Sequence, residues 1–435
     1  MLDRIKKILK ANKEISGYVI SETMVESNEL YFIKKNVDMD RAKSVRHYKV
    51  TVYIDFEENG TRYMGSSKTE IHPTMSGAEV RKAIDAIAFA AKFVKNPYYP
   101  LAKPAASYRK TESSNFSRES IPYSMNEITK AVYAKDKYEK GGINSCEVFL
   151  NRVYTHVMNS ECVDADSTDY EGMVEFITSW KEEGEEIELY KCLEFSEFSP
   201  ELLTEEVDDM VTICKEKAVA TNTPAIGKSA VILTREAVKE IFGYYYTQGS
   251  GSTVYNQYST WKVGDMVQGE EVKGDRITLT LDPFMKNSTF SRGFDEDGLA
   301  LAPVTILENG VLKRYVANTR YAHYLNVGPT GMIRNMRVNG GRYMMDELKK
   351  GRYMEIAAFS DFSVDDITGD FGGEIRLAWY HDGEKTITLT GGAISGNLKE
   401  LQQELYLSKE LQKDNNFEGP SAVKLLGVNV GGSST

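Results

Sequence analysis

The first half of the chain presents the same order of sequence patterns twice, and this order is the strongest constraint on its fold. An amphipathic helix pattern at about residues 2–13 precedes strand patterns with alternating apolar residues, as in VTVYIDF at 50–56. Asn59-Gly60 favours a tight hairpin turn, because both residues accept positive φ angles. A helix with the capping box Ser76–Glu79 completes the set.

The order recurs after a proline-rich stretch. A helix is predicted to begin at Ser124, with Glu127 completing a second capping box. Strand patterns follow, with a turn in KEEGEE near Gly184. Ser199-Pro200 then marks a closing helix, since it joins a cap to a first-turn proline. A duplicated α+β unit is the preferred interpretation, and a chance likeness of two unrelated α+β segments is the alternative.

The second half is richer in strands. Asn309-Gly310 and Asp382-Gly383 each separate two strand patterns and predict hairpins. Helices are expected after Thr234 and after Ser395, the latter as a helix cap. Successive hairpins with few long helices favour a curved or barrel-like antiparallel sheet.

The predicted fold class is therefore α+β. Residues 1–220 form a duplicated α+β region, with similar units at about 1–100 and 120–220. Residues 221–435 form a β-rich, barrel-like antiparallel domain.

Composition points to a globular cytoplasmic protein. Hydrophobic residues make up 41% and charged residues 27% of 435 residues, and the net charge is −11. The sequence has neither a signal-peptide pattern nor a long apolar stretch, so no membrane association is expected. Direct binding to nucleic acid is not expected either, because that needs a dense basic surface. Four cysteines are few for this length, which suits a reducing compartment.

The search for catalytic motifs gives neither metal ligands nor a nucleophile. The five histidines are scattered and lack the one-turn helical spacing that zinc peptidases use. The C-x-x-C and G-x-S-x-G motifs are absent. We therefore assign no catalytic residue, no metal ligand and no cofactor to this chain. The aromatic run that includes Tyr244 and Tyr245 is a candidate substrate groove, and a helix end packed on the sheet explains it equally well.

A long ordered series carries a resemblance to a known family. SRGFDEDG at 291–298, VTILENGVLKRYVANTRYA at 304–322 and GPTG at 328–331 together resemble the TldD/PmbA family, also called modulators of DNA gyrase. The resemblance is strong from about Thr221 onward and faint before it. It implies a two-subunit cytosolic metallopeptidase system that acts on peptides.

The family's catalytic subunit carries an H-E-x-x-x-H helix after the strand that AVIL matches, and a cysteine near its carboxy terminus. In this chain the matching helix, Glu236 to Thr247, has no histidine, and the last cysteine is Cys214. The resemblance therefore implies a PmbA/TldE-like partner that is not catalytic alone, with zinc in a TldD-like homologue.

The expected partners are that homologue, in a heterodimer, or a second copy of the chain, together with a peptide substrate. An autonomous metallopeptidase with an atypical site and a non-enzymatic peptide-binding scaffold are the alternatives. The candidate groove residues are, besides the two tyrosines, Ser291, Arg292, Gly293, Phe294, Asp295, Thr330 and Gly331. They could present an edge strand to an extended peptide. A salt bridge between Arg292 and Asp295 that holds a β-turn is the structural alternative.

Overall fold

The computed structural model describes residues 1–110, 113–184 and 186–433. Its amino-terminal part contains two sets of elements. The first set is α1 (Leu2–Ala11), β1 (Gly17–Ile33), β2 (Asn36–Glu58), β3 (Thr61–Ile71) and α2 (Gly77–Ala91). The second set is α3 (Ile121–Val132), β4 (Gly141–Asn159), β5 (Asp164–Trp180), β6 (Ile187–Phe195) and α4 (Pro200–Ala218). The two sets have the same order, which is the duplicated α+β arrangement expected for this region.

The six strands form one antiparallel sheet in the order β3-β2-β1-β4-β5-β6. β1 pairs with β4 at the centre, so each set supplies one half of the sheet. Each half has its own apolar core, built on Ile20 and Ile84 in the first and on Val174 and Val207 in the second. Burial of these apolar side chains against the sheet is the main stabilising contribution in both halves.

Local signals explain where the helices begin. Ser76 and Glu79 form the predicted capping box. The predicted start of α3 at Ser124 is wrong, because the Ser120 hydroxyl caps that helix one turn earlier and Ser124 is buried inside it. Ser199 caps α4 as predicted. The turn expected near Gly184 includes Glu185, which lies outside the described residues.

The carboxy-terminal part begins with β7 (Thr221–Asn222), β8 (Gly227–Thr234), α5 (Glu236–Gln248) and α6 (Gly251–Tyr255). It continues with β9 (Leu279–Leu281), β10 (Val304–Glu308), β11 (Val311–Leu312), α7 (Thr319–Tyr324), β12 (Met336–Val338) and α8 (Met345–Leu348). The last elements are β13 (Tyr353–Val364), β14 (Asp370–His381), β15 (Thr386–Thr390), β16 (Ala393–Asn397), α9 (Leu398–Leu401), β17 (Leu405–Leu407), β18 (Leu411–Asp414), β19 (Phe417–Pro420) and β20 (Ala422–Gly431). Among the described residues, no helix is long and apolar enough to cross a membrane.

Five strands of this part close into a barrel. β13 pairs with β8, β8 with β20, β20 with β16, β16 with β14, and β14 with β13. The predicted hairpins at Asn309-Gly310 and Asp382-Gly383 connect β10 to β11 and β14 to β15. The barrel is antiparallel as expected, except that β8 and β13 run parallel to each other. Ser395 lies inside β16, so Asn397 caps α9 in its place, accepting from the backbone N–H of Lys399 at 2.9 Å.

Two asparagines join the amino-terminal sheet to the carboxy-terminal part. Asn287 Oδ1 accepts from the backbone N–H groups of Ser196 and Glu197 at 3.0 and 2.8 Å. Asn415 donates to Glu194 at 2.6 Å and accepts from the backbone N–H of Thr289 at 2.9 Å. Both asparagines have positive φ, a conformation that asparagine tolerates better than most residues. These contacts fix the 284–297 segment against the end of β6.

Candidate functional site

Asp295 holds together two of the sequence segments that carry the resemblance. Its Oδ1 accepts from the backbone N–H groups of Asp297 and Leu299, both at 3.0 Å. Its Oδ2 accepts from the backbone N–H of Met332 at 3.2 Å. The residue is 4% exposed. Asp295 therefore stabilises its own turn and ties that turn to the distant segment that follows Gly331.

Thr330 and Gly331 form a second turn against Ala317. Thr330 Oγ1 accepts from the backbone N–H of Ala317 at 2.9 Å, and the Thr330 and Gly331 N–H groups donate to the Ala317 carbonyl. Gly331 has a φ of 73°, and a Cβ there would lie 2.2 Å from Leu301 Cδ2. The glycine is thus required by both backbone conformation and space.

The structural alternative for Arg292 and Asp295 is not observed. No ion pair joins them within 4.0 Å among the described residues. The turn is held by backbone N–H groups that donate to the carboxylate. Arg292 instead lines a neighbouring cavity, and its positive charge opposes the rise that burial causes in the pKa of Glu171.

Successive side chains of the 291–297 segment face two different cavities. Arg292 and Asp295 line a cavity of about 290 Å³, together with Tyr246, Phe290, Glu296, Asp297, Asn318, Met332 and Arg334. We call this cavity the arginine pocket. Ser291, Gly293 and Phe294 face a cleft of about 380 Å³, whose other walls include residues from 108–110, 113–117, 166–170 and 284–289. We call it the linker cleft.

The linker between the two amino-terminal sets packs directly on this segment. Tyr108 donates its hydroxyl to the Gly298 carbonyl at 3.0 Å and makes an edge contact with the Phe294 ring. A Cβ on Gly293 would lie 2.0 Å from the Arg109 carbonyl oxygen. Since the linker backbone approaches Gly293 this closely, the 291–295 segment does not present an open strand edge in this structure. The edge-strand interpretation is therefore corrected.

Tyr244 and Tyr245 do not line an open groove. They are 1% and 0% exposed and pack against Trp261 in the core. The Tyr245 hydroxyl donates to Gln402 at 3.0 Å. The next residue, Tyr246, is the one that lines the arginine pocket. The aromatic run therefore reaches a cavity through Tyr246, whereas helical geometry turns Tyr244 and Tyr245 toward the core.

Burial controls the electrostatics of the arginine pocket. It raises the pKa of Asp295 to about 6, with a further upward contribution from the negative charge of Asp297, although three backbone N–H groups oppose this shift. Burial also raises the pKa of Asp297 and raises that of Tyr246 to about 12. The Tyr246 hydroxyl therefore stays protonated at neutral pH and is available as a hydrogen-bond donor.

Comparisons with known proteins agree on one family. Residues 226–432 match the family model described as the PmbA/TldA metallopeptidase C-terminal domain. The chain is 25% identical to the metalloprotease PmbA of Escherichia coli O157:H7, over 40% of this chain and 39% of that protein. It is 26% identical to an uncharacterised protein of Methanocaldococcus jannaschii, over 45% of this chain and 49% of that protein. The matches span half or less of these curated relatives.

Solved structures share the fold over the whole chain. TldE from Thermococcus kodakarensis superposes with a TM-score of 0.76 at 17% identity, covering 99% of this chain and 100% of that one. A candidate modulator of a DNA gyrase from Thermotoga maritima superposes with a TM-score of 0.77, also at 17% identity and with the same coverage. Residues 226–432 therefore form a domain of the TldD/PmbA family. At these identities the superpositions establish the fold, and the family match covers the carboxy-terminal half.

α5 is the helix that the sequence resemblance matches to the family's catalytic helix. Here its inward positions carry apolar and aromatic side chains, and Phe242 stacks on Phe417 of β19 at 5.8 Å between ring centroids. Cys214, the last cysteine, is buried in α4, and its thiol donates to backbone carbonyls. Throughout the described part of the chain, no three His, Cys, Asp or Glu side chains converge as a metal site would require.

Proposed function

We propose that this chain is the non-catalytic partner subunit of a TldD/TldE-type cytosolic metallopeptidase that processes peptides. The observation that carries the proposal is the packing of α5. Phe242, Tyr244 and Tyr245 pack in the apolar core on the inner side of this helix, and each is at most 1% exposed. A catalytic zinc needs at least three protein ligands and one open coordination position, and a closely packed aromatic core offers no such opening.

The partner hypothesis also explains the two turns and the polar cavity beside α5. The Asp295 turn and the Thr330-Gly331 turn keep a polar cavity open beside the inward-packed helix. A subunit that helps to hold an extended peptide needs such a cavity but needs no metal. We propose that the zinc is bound by a TldD-like homologue and that both subunits act in the cytosol.

Co-expression with the family homologue from the same genome that carries H-E-x-x-x-H tests the pairing. The two chains should co-purify, and the homologue's hydrolysis of unfolded peptides should rise when this chain is present. Elemental analysis should find about one zinc ion per pair and far less than one per chain in this protein alone.

Three outcomes separate the alternatives. Absence of co-purification together with unchanged peptidase activity of the homologue would overturn the partner role. One tightly bound transition metal per isolated chain, with chelator-sensitive hydrolysis, would indicate an autonomous peptidase. A stable homodimer that binds peptides and ignores the homologue would indicate a scaffold.

A further inference from the structure

The arginine pocket contains three hydrogen-bond donors without an acceptor. The guanidinium groups of Arg292 and Arg334 make no ion pair within 4.0 Å, and the Tyr246 hydroxyl makes no hydrogen bond, among the described residues. Arg334 lies over the Phe290 ring, with Cζ 5.5 Å from its centroid. This contact positions the guanidinium while leaving the N–H groups at its edge available, because the interaction uses the face of the group.

Asp295 is the acidic residue of this pocket that is fully engaged, because its carboxylate accepts three backbone N–H groups. Burial raises the pKa of the neighbouring Asp297, and the nearby Thr319 opposes this rise. Asn318 accepts from the backbone N–H of Tyr321 at 3.0 Å as the cap of α7. Neither Arg292 nor Arg334 makes an ion pair with the acidic residues of the pocket within 4.0 Å in the described part of the chain, so both keep their capacity to bind an external anion.

The shape and lining of the pocket restrict the anion. Its volume of about 290 Å³ lies near the lower limit of small-molecule sites, and the pocket suits one or two amino-acid residues. Phe290 and Met332 add an apolar wall. Three carboxyl side chains also line the cavity, so a highly charged phosphate group would meet more repulsion here than a single carboxylate. Planar guanidinium groups match the two oxygens of a carboxylate.

We propose that the arginine pocket binds the carboxyl-terminal carboxylate of a peptide, with Arg292, Arg334 and Tyr246 as donors. The terminal side chain lies against Phe290 and Met332. This inference rests on the proposed role in peptide processing and names the end of the peptide that this subunit holds.

Equilibrium binding to the isolated full-length chain tests the proposal without a partner subunit. The probes are three acetylated fluorescent peptides with an apolar last residue. One has a free carboxyl terminus, one is amidated, and one is amidated with an internal aspartate. The free acid should bind at least about tenfold more tightly than either amide, because a charge-assisted hydrogen bond contributes that much or more.

Matched variants connect the binding to this cavity. Arg292→Gln and Arg334→Gln should each weaken binding of the free acid about tenfold or more, and Tyr246→Phe should weaken it several-fold. Arg314→Gln, at an exposed arginine outside the pocket, should leave it unchanged. Circular dichroism should show native folding of each variant; Arg334 is exposed, so its variant is the reference if Arg292→Gln fails to fold.

Two results would overturn the assignment. If the free acid and the simple amide bind equally well, the pocket does not recognise a carboxylate. If the amidated peptide with an internal aspartate binds as well as the free acid, the pocket does not recognise the chain terminus. Binding that survives Arg334→Gln would place the ligand elsewhere. Each of these results can occur while the homologue still co-purifies with the chain and is activated by it, so failure here is distinguishable from failure of the partner role.

Discussion

Asp295→Asn tests whether the central carboxyl of the site is held in a strained electrostatic environment. Asparagine keeps the size of the side chain and one oxygen, which can still accept from Asp297 and Leu299. Its amide nitrogen then faces the Met332 N–H, which donates to Oδ2 in the native protein at 3.2 Å. Two donors opposite each other leave one buried N–H without an acceptor, which costs about 1–3 kcal/mol at every pH.

The pH dependence is the distinguishing signal. The pKa of Asp295 is raised from 3.8 to about 6, a difference of about two pH units, and each unit corresponds to about 1.4 kcal/mol. Since the folded pKa lies above the unfolded value, the associated stabilisation is present below about pH 4. It is lost as the pH rises through about 6. Between these limits the native free energy of unfolding should fall by about 3 kcal/mol relative to that of Asp295→Asn.

Urea titrations of both proteins, followed by tryptophan fluorescence at about pH 4, 5, 6 and 7, measure this difference. Asp346→Asn, at an exposed aspartate of α8, is the matched control. Its free energy of unfolding should change with pH in the same way as that of the native protein. If the native and Asp295→Asn curves also run parallel across this range, burial does not raise the pKa of Asp295. The electrostatic reasoning for the site would then be refuted.

Three further substitutions test the packing around the site. Gly331→Ala should lower the free energy of unfolding by about 1–3 kcal/mol, because its Cβ would lie 2.2 Å from Leu301 Cδ2 at a φ of 73°; an unchanged urea midpoint would contradict this. Tyr245→Phe should cost about 1–3 kcal/mol by leaving Gln402 without its donor at 3.0 Å, and a neutral result would mean that water reaches that amide. Asn287→Ala should speed hydrogen exchange at the two backbone N–H groups that follow β6, and unchanged protection there would show that the asparagine does not hold this contact.

Local signals in the sequence predicted most of the fold. Ser76, Asn309-Gly310 and Ser199 each lie where the structure has the predicted cap or turn, because these features depend on neighbouring residues alone. The start of α3 was missed because Ser120 and Ser124 are both acceptable caps, and packing against the second core selects the earlier one. The parallel pairing of β8 with β13 has no local signature, since residues more than a hundred positions apart form it.

Only some of the residues that line the arginine pocket were singled out in the sequence. Arg292 and Asp295 lie in a segment that the resemblance singles out, and they do line one cavity. Arg334 joins them beside the contact in which Asp295 accepts from the backbone N–H of Met332, which no spacing in the sequence reveals. Gly293 and Phe294 line the linker cleft and not the arginine pocket, and this division follows from the tertiary structure and not from the local sequence.

The contrast between α5 and the arginine pocket argues for binding over residual catalysis. If the whole region had lost its purpose, nothing would require two guanidinium groups without an ion pair to face one cavity. Instead the helix interior is filled with aromatic side chains, while Asp295 keeps the neighbouring turns in a geometry that leaves Arg292 and Arg334 facing one space. An arrangement of this kind can hold a peptide end without acting on it, which is what the proposed partner role requires of this subunit.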